Sequence, residues 1–382
     1  MRQKPKSLNG ERTTMTIRGR GAVVRAAGAP FEIVELELDE PGAGEVLVRL
    51  VATGLCHTDL GVQAIGAPFE LPGILGHEGA GVVERIGAGV TAVAPGDKVL
   101  MSFTSCGACE ACAAGHPAYC DTWFPRNVLG ELRGTDSAAT RIDGEPTHAH
   151  FFGQSAFAEY SIADERALIK VAPDADLVAL APLGCGVITG VGSIWNALDP
   201  GSRDVVAIYG AGAVGLSAVW AAARRSPARL IAIDRVPERL ELARRLGATD
   251  VLDASSEDVP ARIAELTGGR GTTLAFDTTA SPAVGAQALA STAVGGTVLI
   301  VGVAPPGTEL PVEMTGLLQG KSLRGITMGD ADPAVLIPEL VALHAAGELP
   351  LELLTRTYPL ADIDRAAHDM HGGVTVKPVI TF

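Results

Sequence analysis

The sequence predicts an α/β protein with two unlike parts, a doubly wound parallel sheet and a β-rich domain. Between about residues 187 and 326, short apolar runs typical of strands alternate with helical patterns. This alternation indicates a parallel sheet with helices on both faces. Residues 20–180 instead carry Gly-Pro turns and short β-like runs such as EVLVRLVATG. We therefore expect a β-rich domain at 17–186, completed by 327–382, and a sheet domain at 187–326.

Six apolar runs predict the strands of the parallel sheet, namely DVVAIY, RLIAID, TDVLD, TTLAFDTT, GTVLIVGV and KSLRGITM. The helical patterns PERLELARRLG and VPARIAELTGG lie between the earlier runs. We expect GTVLIVGV to be an edge strand, and a long apolar edge invites pairing with another chain. Pairing with a second copy across a two-fold axis would give a homodimer; a homotetramer of two such dimers stays open.

Composition and charge exclude several classes of protein. The formal net charge is −14, and no Lys/Arg run follows the first twenty residues, which argues against nucleic-acid binding because phosphate contact needs a basic face. No apolar run approaches the roughly 18 residues of a membrane span. The basic N-terminal stretch lacks the apolar segment of a secretory signal. We expect a cytoplasmic protein with small-molecule partners, and residues 1–16 as a disordered extension.

The run DVVAIYGAGAVG carries a dinucleotide-binding pattern. Gly210, Gly212 and Gly215 give G-x-G-x-x-G between a predicted strand and a predicted helix, the context that this pattern requires. The next strand ends at Asp234, 19 residues after Gly215, where a carboxylate accepts hydrogen bonds from the adenosine ribose. A carboxylate there repels a 2′-phosphate and favours NAD over NADP, although the adjacent Arg235 would tolerate the phosphate.

Four of the six cysteines lie within fifteen residues, at Cys106, Cys109, Cys112 and Cys120. In a cytosolic chain such thiols stay reduced and are used for metal binding or catalysis. The spacing C-x2-C-x2-C-x7-C with small intervening residues suits a tetrahedral set of thiolates, and this predicts a structural zinc. An iron–sulfur cluster and a cysteine-rich turn without metal are the alternatives.

The remaining cysteines, Cys56 and Cys185, form a second candidate set with His77 and Glu78. Two thiolates and one imidazole make the ligand set of a catalytic zinc, which keeps its fourth position for water or substrate. Each of these residues taken alone is more typical of a buried structural side chain. Together with the four-cysteine group they use all six thiols, and this favours two metal sites.

These motifs together resemble those of the zinc-dependent medium-chain alcohol dehydrogenases. GLCHTD, GHEGAG, the four-cysteine group, LGCGVITG and GAGAVG follow in the family's order, from about Gly21 to Phe382. Stretches such as FFGQSAFAEY and HGGVTVKPVITF are most similar to the bacterial NAD-dependent aryl (benzyl) alcohol dehydrogenases. The resemblance implies a GroES-like catalytic domain, a Rossmann coenzyme domain, NAD as cofactor and two zinc ions per chain.

The resemblance also implies roles for individual residues. Cys56, His77 and Cys185 would bind the catalytic zinc, with Glu78 as an occasional fourth ligand. Asp59 would orient His77, and Thr58 would contact the substrate oxygen and begin the path of the released proton. The residues implied for the cofactor are His57, Gly210, Gly212, Ala213, Val214, Gly215, Asp234, Arg235, Arg239 and Lys377.

The chain departs from many family members at the end of that proton path. Where they have a histidine five residues after the first cysteine ligand, this chain has Gly61. We therefore expect the proton to leave through water or another group. His57 and Lys377 match positions that contact the cofactor pyrophosphate.

Other polar and aromatic residues have less specific interpretations. His148 and His150 have metal-ligand spacing, but a solvated loop explains them better, and His368 and His371 fit a surface helix face. Phe103, Phe151 and Phe152 are either core residues or the wall of an apolar pocket, which would suit benzylic or allylic alcohols.

Three functions follow from these patterns. The leading hypothesis is a zinc- and NAD-dependent dehydrogenase that interconverts primary aromatic or allylic alcohols and aldehydes. The first alternative is a thiol-dependent formaldehyde dehydrogenase of the same family. The second is a non-enzymatic relative with a binding or structural role.

Overall fold

A computed structural model of the chain describes residues 16–131, 137, 139–305 and 307–382. The predicted N-terminal extension, residues 1–16, lies outside the described residues except for Thr16.

The strands are, in chain order, β1 (Ile17–Val24), β2 (Phe31–Leu38), β3 (Glu45–Gly54), β4 (Gly73–Ile74), β5 (Gly79–Ile86), β6 (Lys98–Met101), β7 (Thr140–Ile142), β8 (Glu145–Thr147), β9 (Tyr160–Asp164), β10 (Leu168–Lys170), β11 (Val205–Tyr209), β12 (Arg229–Asp234), β13 (Asp250–Asp253), β14 (Thr272–Asp277), β15 (Thr292–Ile300), β16 (Ser322–Gly325), β17 (Thr355–Pro359) and β18 (Lys377–Thr381).

The α-helices are α1 (His57–Ile65), α2 (Glu110–Ala113), α3 (Trp123–Asn127), α4 (Leu177–Leu180), α5 (Gly186–Gly192), α6 (Ala213–Ala223), α7 (Pro237–Arg245), α8 (Val259–Thr267), α9 (Pro282–Ala290), α10 (Met314–Leu317), α11 (Pro333–Ala345) and α12 (Ile363–His371). Helix α5 continues into a wider π-helical turn, Ser193–Leu198.

The predicted α/β fold is confirmed, and its centre is a parallel six-stranded sheet with the order β13-β12-β11-β14-β15-β16. All six apolar runs named above contribute to it. The strand order runs outward in opposite directions from the boundary between β11 and β14, as in doubly wound dinucleotide-binding sheets. Ligands of such sheets bind at this switch point, beyond the carboxyl ends of the strands.

The edge-strand prediction was wrong. The run GTVLIVGV belongs to β15, which pairs with β14 on one side and with β16 on the other. The edge is β16, a short strand of mixed polarity. Pattern alone could not place it, because β16 reaches β15 only after an intervening loop and α10.

The β-rich part consists of two further sheets among the described residues. One has the order β4-β1-β2-β7-β8, and the other has the order β10-β6-β5-β3-β18-β17, with β9 also paired to β3. Strand β18 runs antiparallel to β3, so the chain end returns to the β-rich domain. Strand β3 is buried along most of its length, in agreement with its mostly apolar sequence, and Arg49 is its exposed residue.

Within the described residues, no single helix has the length and apolar character to cross a membrane. One bent pair, Leu177–Gly184 with Gly186–Leu198, meets those two criteria together.

Candidate active site

The structure gathers two groups of metal-ligating side chains. In each group the ligand atoms all lie within 4.8 Å of one another. One group contains Cys56, His77, Glu78 and Cys185, and the other contains Cys106, Cys109, Cys112 and Cys120. These are the two sets that the sequence analysis separated, although Cys56 and Cys185 come from distant parts of the chain.

Asp59 organises the first group. Cys56 is the N-cap of α1, and its N–H donates to Asp59 Oδ2 (3.0 Å). Asp59 Oδ1 accepts from Gly76 N–H (3.0 Å) and from His77 Nδ1 (2.9 Å). Because Nδ1 faces the carboxylate, His77 Nε2 is left free to face a metal, as is usual for histidine ligands. The structure thus gives Asp59 the orienting contact that the sequence predicted.

Glu78 is the fourth member of the group. Its side chain is fully buried, and Oε1 accepts from Gly186 N–H (3.0 Å) and from Lys377 Nζ (2.6 Å). A side chain at Gly54 would put a Cβ 1.7 Å from Glu78 Oε2, so the glycine leaves the carboxylate its space. Lys377 is itself buried; its ammonium is used by Glu78 and by the Leu55 carbonyl (3.2 Å), and its contact with a cofactor phosphate stays a prediction.

The pKa values of the two thiols of this group shift in opposite directions. A hydrogen bond from Cys185, with further help from Lys377 and His77, holds the pKa of Cys56 well below that of a free thiol, although burial opposes the change. The same hydrogen bond and burial raise the pKa of Cys185. Burial alone would lower the pKa of His77, but Asp59 and Cys56 outweigh it and raise that pKa to about 10.

A zinc ion fits this donor set. Two buried atoms, His77 Nε2 and Glu78 Oε2, have no hydrogen-bond partner among the described residues. Buried polar atoms are normally satisfied, and the lone pairs of these two atoms are placed to bind a metal ion. Two sulfurs, one imidazole nitrogen and a fourth oxygen position match the preference of zinc at catalytic sites.

In the second group, backbone N–H groups of the same segment donate to the sulfurs. The N–H groups of Ala108 and Cys109 donate to Cys106 Sγ (3.4 and 3.2 Å), and Cys106 N–H donates to Cys120 Sγ (3.2 Å). The two backbone donors lower the pKa of Cys106 to about 6, because a hydrogen bond to the charged form favours it. Four sulfurs without an open position fit a structural zinc.

The glycine pattern lies at the switch point of the sheet, between β11 and α6. Gly210 has φ +89°, and a Cβ at Gly215 would lie 1.8 Å from the Gly210 carbonyl oxygen. Gly212 is the N-cap of α6, so Ala213 and Val214 form its first turn, where backbone N–H groups suit a pyrophosphate. The turn therefore has the close packing and the free donors expected of this motif.

Asp234 supports the same turn. Its Oδ2 accepts from Ala211 N–H (2.6 Å), and its Oδ1 accepts from Arg235 and Val236 N–H (2.8 and 2.9 Å). The carboxylate is thus fixed at the end of β12, where the sequence analysis places the ribose. Arg235 is exposed.

Positive side chains converge near His57. Desolvation by neighbouring residues lowers the pKa of His57 although its side chain is exposed. Lys377, Arg239 and His371 act in the same direction, and Cys56 opposes them. Arg239 Nε is buried and has no hydrogen-bond partner among the described residues, which suits an anion. The sequence analysis missed the effect of His371 on the His57 pKa. His371 lies on α12, far from His57 in sequence, and no local pattern places the two residues near each other.

Comparison with known proteins agrees with these arrangements. Residues 42–174 match the family described as alcohol dehydrogenase GroES-like domain, and residues 213–343 match the one described as zinc-binding dehydrogenase. A geraniol dehydrogenase of Castellaniella defragrans is 40% identical over 368 residues, which cover 96% of this chain and 98% of that protein. The chain belongs to the zinc-dependent medium-chain alcohol dehydrogenase family.

Two further members of the family are similar over nearly the whole chain. The crystal structure of a benzyl alcohol dehydrogenase from Acinetobacter calcoaceticus is 39% identical, covers 96% of this chain and 99% of that one, and superposes with a TM-score of 0.90. An S-(hydroxymethyl)glutathione dehydrogenase of Haemophilus influenzae is 37% identical over 374 residues, 96% of this chain and 98% of that protein. The chain is accordingly an oxidoreductase of this family.

In this dehydrogenase an aromatic cluster abuts the His77 imidazole. Phe152 stacks on it at 4.5 Å between ring centroids, and Phe151 meets it edge-on at 5.6 Å. Trp123 packs edge-on against Phe152 (5.6 Å), and Phe103 lies 6.4 Å from Trp123. The sequence analysis named the three phenylalanines but missed Trp123, which no local pattern connects to GHEGAG.

Thr58 and Gly61 lie on α1, beside the metal group. The Thr58 hydroxyl is 3.9 Å from Cys56 Sγ and so lies beside the candidate metal ligands. An added Cβ at Gly61 would meet no atom within 4 Å among the described residues. The position that many relatives fill with histidine is therefore open space here.

The histidines outside these sites follow the sequence predictions with one exception. His148 is exposed and pairs with Glu70 (3.3 Å), and His368 and His371 are exposed on α12. The prediction of a solvated loop was wrong for His150, whose side chain is buried. It directly precedes the buried pair Phe151 and Phe152, and their burial carries it inward.

Proposed function

We propose that this dehydrogenase interconverts primary aromatic or allylic alcohols and their aldehydes, with NAD as the hydride acceptor. The observation that carries the proposal is the aromatic cluster at His77. Phe103, Phe151 and Phe152 belong to the buried apolar core, and apolar rings beside the candidate metal ligands favour an apolar substrate. The geraniol and benzyl alcohol dehydrogenases among its relatives support the same substrate class.

Each residue of the candidate active site has its own proposed role in the reaction. When bound, zinc lowers the pKa of an alcohol and so favours loss of its proton. Cys56, His77 and Cys185 would hold that ion, and Glu78 would offer the fourth oxygen when the substrate leaves. Thr58 would accept a hydrogen bond from the alcohol and pass its proton on. The open space at Gly61 supports transfer of that proton to water.

The cofactor assignment rests on the glycine turn and on Asp234. The turn presents N–H groups for the pyrophosphate, and Arg239 adds positive charge. The fixed carboxylate of Asp234 favours an unphosphorylated ribose, which supports NAD over NADP. Two zinc ions per chain, one in each cysteine set, complete the proposed cofactors.

A thiol-dependent formaldehyde dehydrogenase is the second candidate. Its support is the similarity to S-(hydroxymethyl)glutathione dehydrogenases, at 37% identity in the example above. Membership of the enzyme family and the assembled catalytic ligands do not favour a non-enzymatic role.

We also propose that the enzyme is a cytoplasmic homodimer or homotetramer without nucleic-acid or membrane partners. The edge strand β16 leaves ladder groups available for a second copy. Apolar side chains exposed in the adjoining segments support such an interface: Val294, Val303, Met314 and Leu318. Sedimentation velocity tests it, since a monomer at micromolar concentration would contradict it.

An NADH absorbance assay on zinc-replete protein tests the proposed activity. The substrates are benzyl alcohol, geraniol, ethanol, and formaldehyde with and without glutathione. We expect benzyl alcohol or geraniol to exceed ethanol by at least about tenfold in kcat/KM, the discrimination that apolar pocket contacts supply. Turnover of formaldehyde only when glutathione is present would replace the proposal by the second candidate.

A further inference from the structure

A strained turn lies against the candidate catalytic set. Its three residues all have left-handed backbone conformations, with φ 49° at Met328, 70° at Gly329 and 50° at Asp330. Methionine rarely adopts this region, although aspartate does so more often than most residues. Such backbone at a methionine persists only where the surrounding structure holds it. We call this segment, Met328–Asp330, the left-handed turn.

The left-handed turn is packed tightly onto α5. A Cβ at Gly329 would lie 2.8 Å from the carbonyl oxygens of Ile188 and Thr189, so backbone meets backbone here. Met328 Sδ lies 3.9 Å from Cys185 Sγ and 3.8 Å from Thr189 Oγ1. Because Cys185 is the N-cap of α5, a shift of the turn would displace this candidate ligand.

The turn is held by contacts from outside it. The Asp330 side chain is only 6% exposed, and a buried carboxylate requires partners. Its Oδ1 accepts from His116 Nδ1 (2.8 Å) and its Oδ2 lies 3.4 Å from Arg324 Nη2. Asn196 Nδ2 donates to the carbonyls of Gly329 and Asp330 (3.2 and 3.1 Å).

His116 comes from the four-cysteine lobe, 214 residues away in sequence. It lies between Cys112 and Cys120, and its N–H donates to the Ala111 carbonyl (2.9 Å). The Tyr119 N–H donates to the His116 carbonyl in turn (3.0 Å). The order of the lobe therefore determines where the imidazole lies.

We propose that the His116–Asp330 contact is a positioning link through which the ordered four-cysteine lobe fixes the left-handed turn, and through the turn Cys185. The left-handed turn also follows β16 at the carboxyl end of the parallel sheet, which is the cofactor side. His116 and Asp330 are positioning residues, since neither contacts the candidate ligand atoms. The inference rests on the proposed alcohol oxidation at the Cys56–His77–Cys185 set.

The test compares His116→Ala, Asp330→Asn and the double variant with wild type. His116→Asn is the conservative variant, because its amide nitrogen occupies the place of Nδ1 and can still donate to Asp330. Arg18→Ala is the matched control, since it breaks an exposed pair with Glu37 (2.9 Å) in the same β-rich domain. The measurements are kcat and KM, NADH binding by fluorescence, thermal unfolding, and the absorption spectrum of cobalt(II) exchanged into the catalytic set.

We expect kcat to fall about tenfold in each single variant and no further in the double variant, because residues that act through one contact are not additive. The cobalt(II) spectrum of His116→Ala shifts, His116→Asn retains most of the wild-type kcat and spectrum, and Arg18→Ala changes neither. A lowered unfolding temperature with unchanged kcat and cobalt(II) spectrum would overturn the link, as would multiplicative losses in the double variant. The spectrum does not depend on turnover, so a wild-type enzyme inactive on every alcohol would refute the proposed function separately.

Discussion

The two metal groups both contain cysteine thiols, but they differ in their other ligands and in their surroundings. In the four-cysteine lobe three cysteines are partly exposed and Cys120 is buried, and the sulfurs of Cys106 and Cys120 accept hydrogen bonds from backbone N–H groups. At the catalytic set the ligands are mostly buried, and His77 and Glu78 each keep an atom without a partner among the described residues. Ligand type and surroundings therefore agree: four thiols with backbone donors indicate a structural site, and a buried mixed set with unpaired atoms indicates a reactive one.

Removing a catalytic ligand should have the largest effect. We expect His77→Ala to lower kcat/KM by about 10³-fold or more, since the metal contributes several kcal/mol of charge stabilisation and about 1.4 kcal/mol corresponds to tenfold. Cys112→Ser in the lobe should lower the unfolding temperature, but it should lower turnover far less than His77→Ala does. Steady-state kinetics and thermal unfolding measure both variants. Equal losses of turnover in the two variants would contradict the assignment of one site as catalytic and the other as structural.

Breaking the buried pair behind the catalytic set should have the next largest effect. Lys377→Met leaves Glu78 buried without its cation, which costs about 3–5 kcal/mol in comparable pairs. Urea unfolding of metal-loaded protein measures the loss. Arg18→Ala, at an exposed pair, should cost less than about 1 kcal/mol.

The double variant Lys377→Met with Glu78→Gln provides the control for that prediction. It should recover much of the lost stability, because it removes the uncompensated charge. If Lys377→Met loses no more unfolding free energy than Arg18→Ala does, the pair of Lys377 with Glu78 is solvated.

Removing the charge of Asp59 should have a moderate effect on metal affinity. Asp59→Asn keeps the size of the side chain but weakens its contact with His77 Nδ1, and substitutions of this kind cost about 10- to 100-fold in metal affinity. Competition with a chromogenic chelator measures this. The affinity of the lobe should not change, and a parallel loss there would indicate general destabilisation instead.

The aromatic cluster should give the smallest and most selective effect. Phe152→Leu removes the ring stacked on His77, and we expect the preference for benzyl alcohol over ethanol to fall about tenfold, within the range for apolar pocket contacts. Phe31→Leu, which alters a T-shaped pair with Phe157 away from the metal, is the control. An unchanged preference in Phe152→Leu would place the substrate pocket elsewhere.

Sequence predicted those features whose residues are close together or follow a fixed order. The glycine turn, the four-cysteine lobe and the six strands of the parallel sheet each occupy short segments, so spacing and periodicity reveal them. The ligands of the catalytic set were grouped because the chain offered few other thiols and because their motifs follow a family's order.

Contacts between distant segments were not predictable in the same way. The ion pair of Lys377 with Glu78, the link from His116 to Asp330, and the packing of Trp123 on Phe152 each join segments through the tertiary fold. The edge of the parallel sheet was misassigned for a related reason, because strand order depends on pairing rather than on the apolar character of one run.

Metal content tests the difference between the two sites most directly. The measurement is the number of zinc ions per chain, by elemental analysis, in wild type and in Cys185→Ser. We predict two ions in wild type, and one in the variant, which keeps its four-cysteine lobe and remains folded. One ion in wild type, or two ions in Cys185→Ser with unchanged turnover, would contradict the assignment of Cys185 to a catalytic zinc.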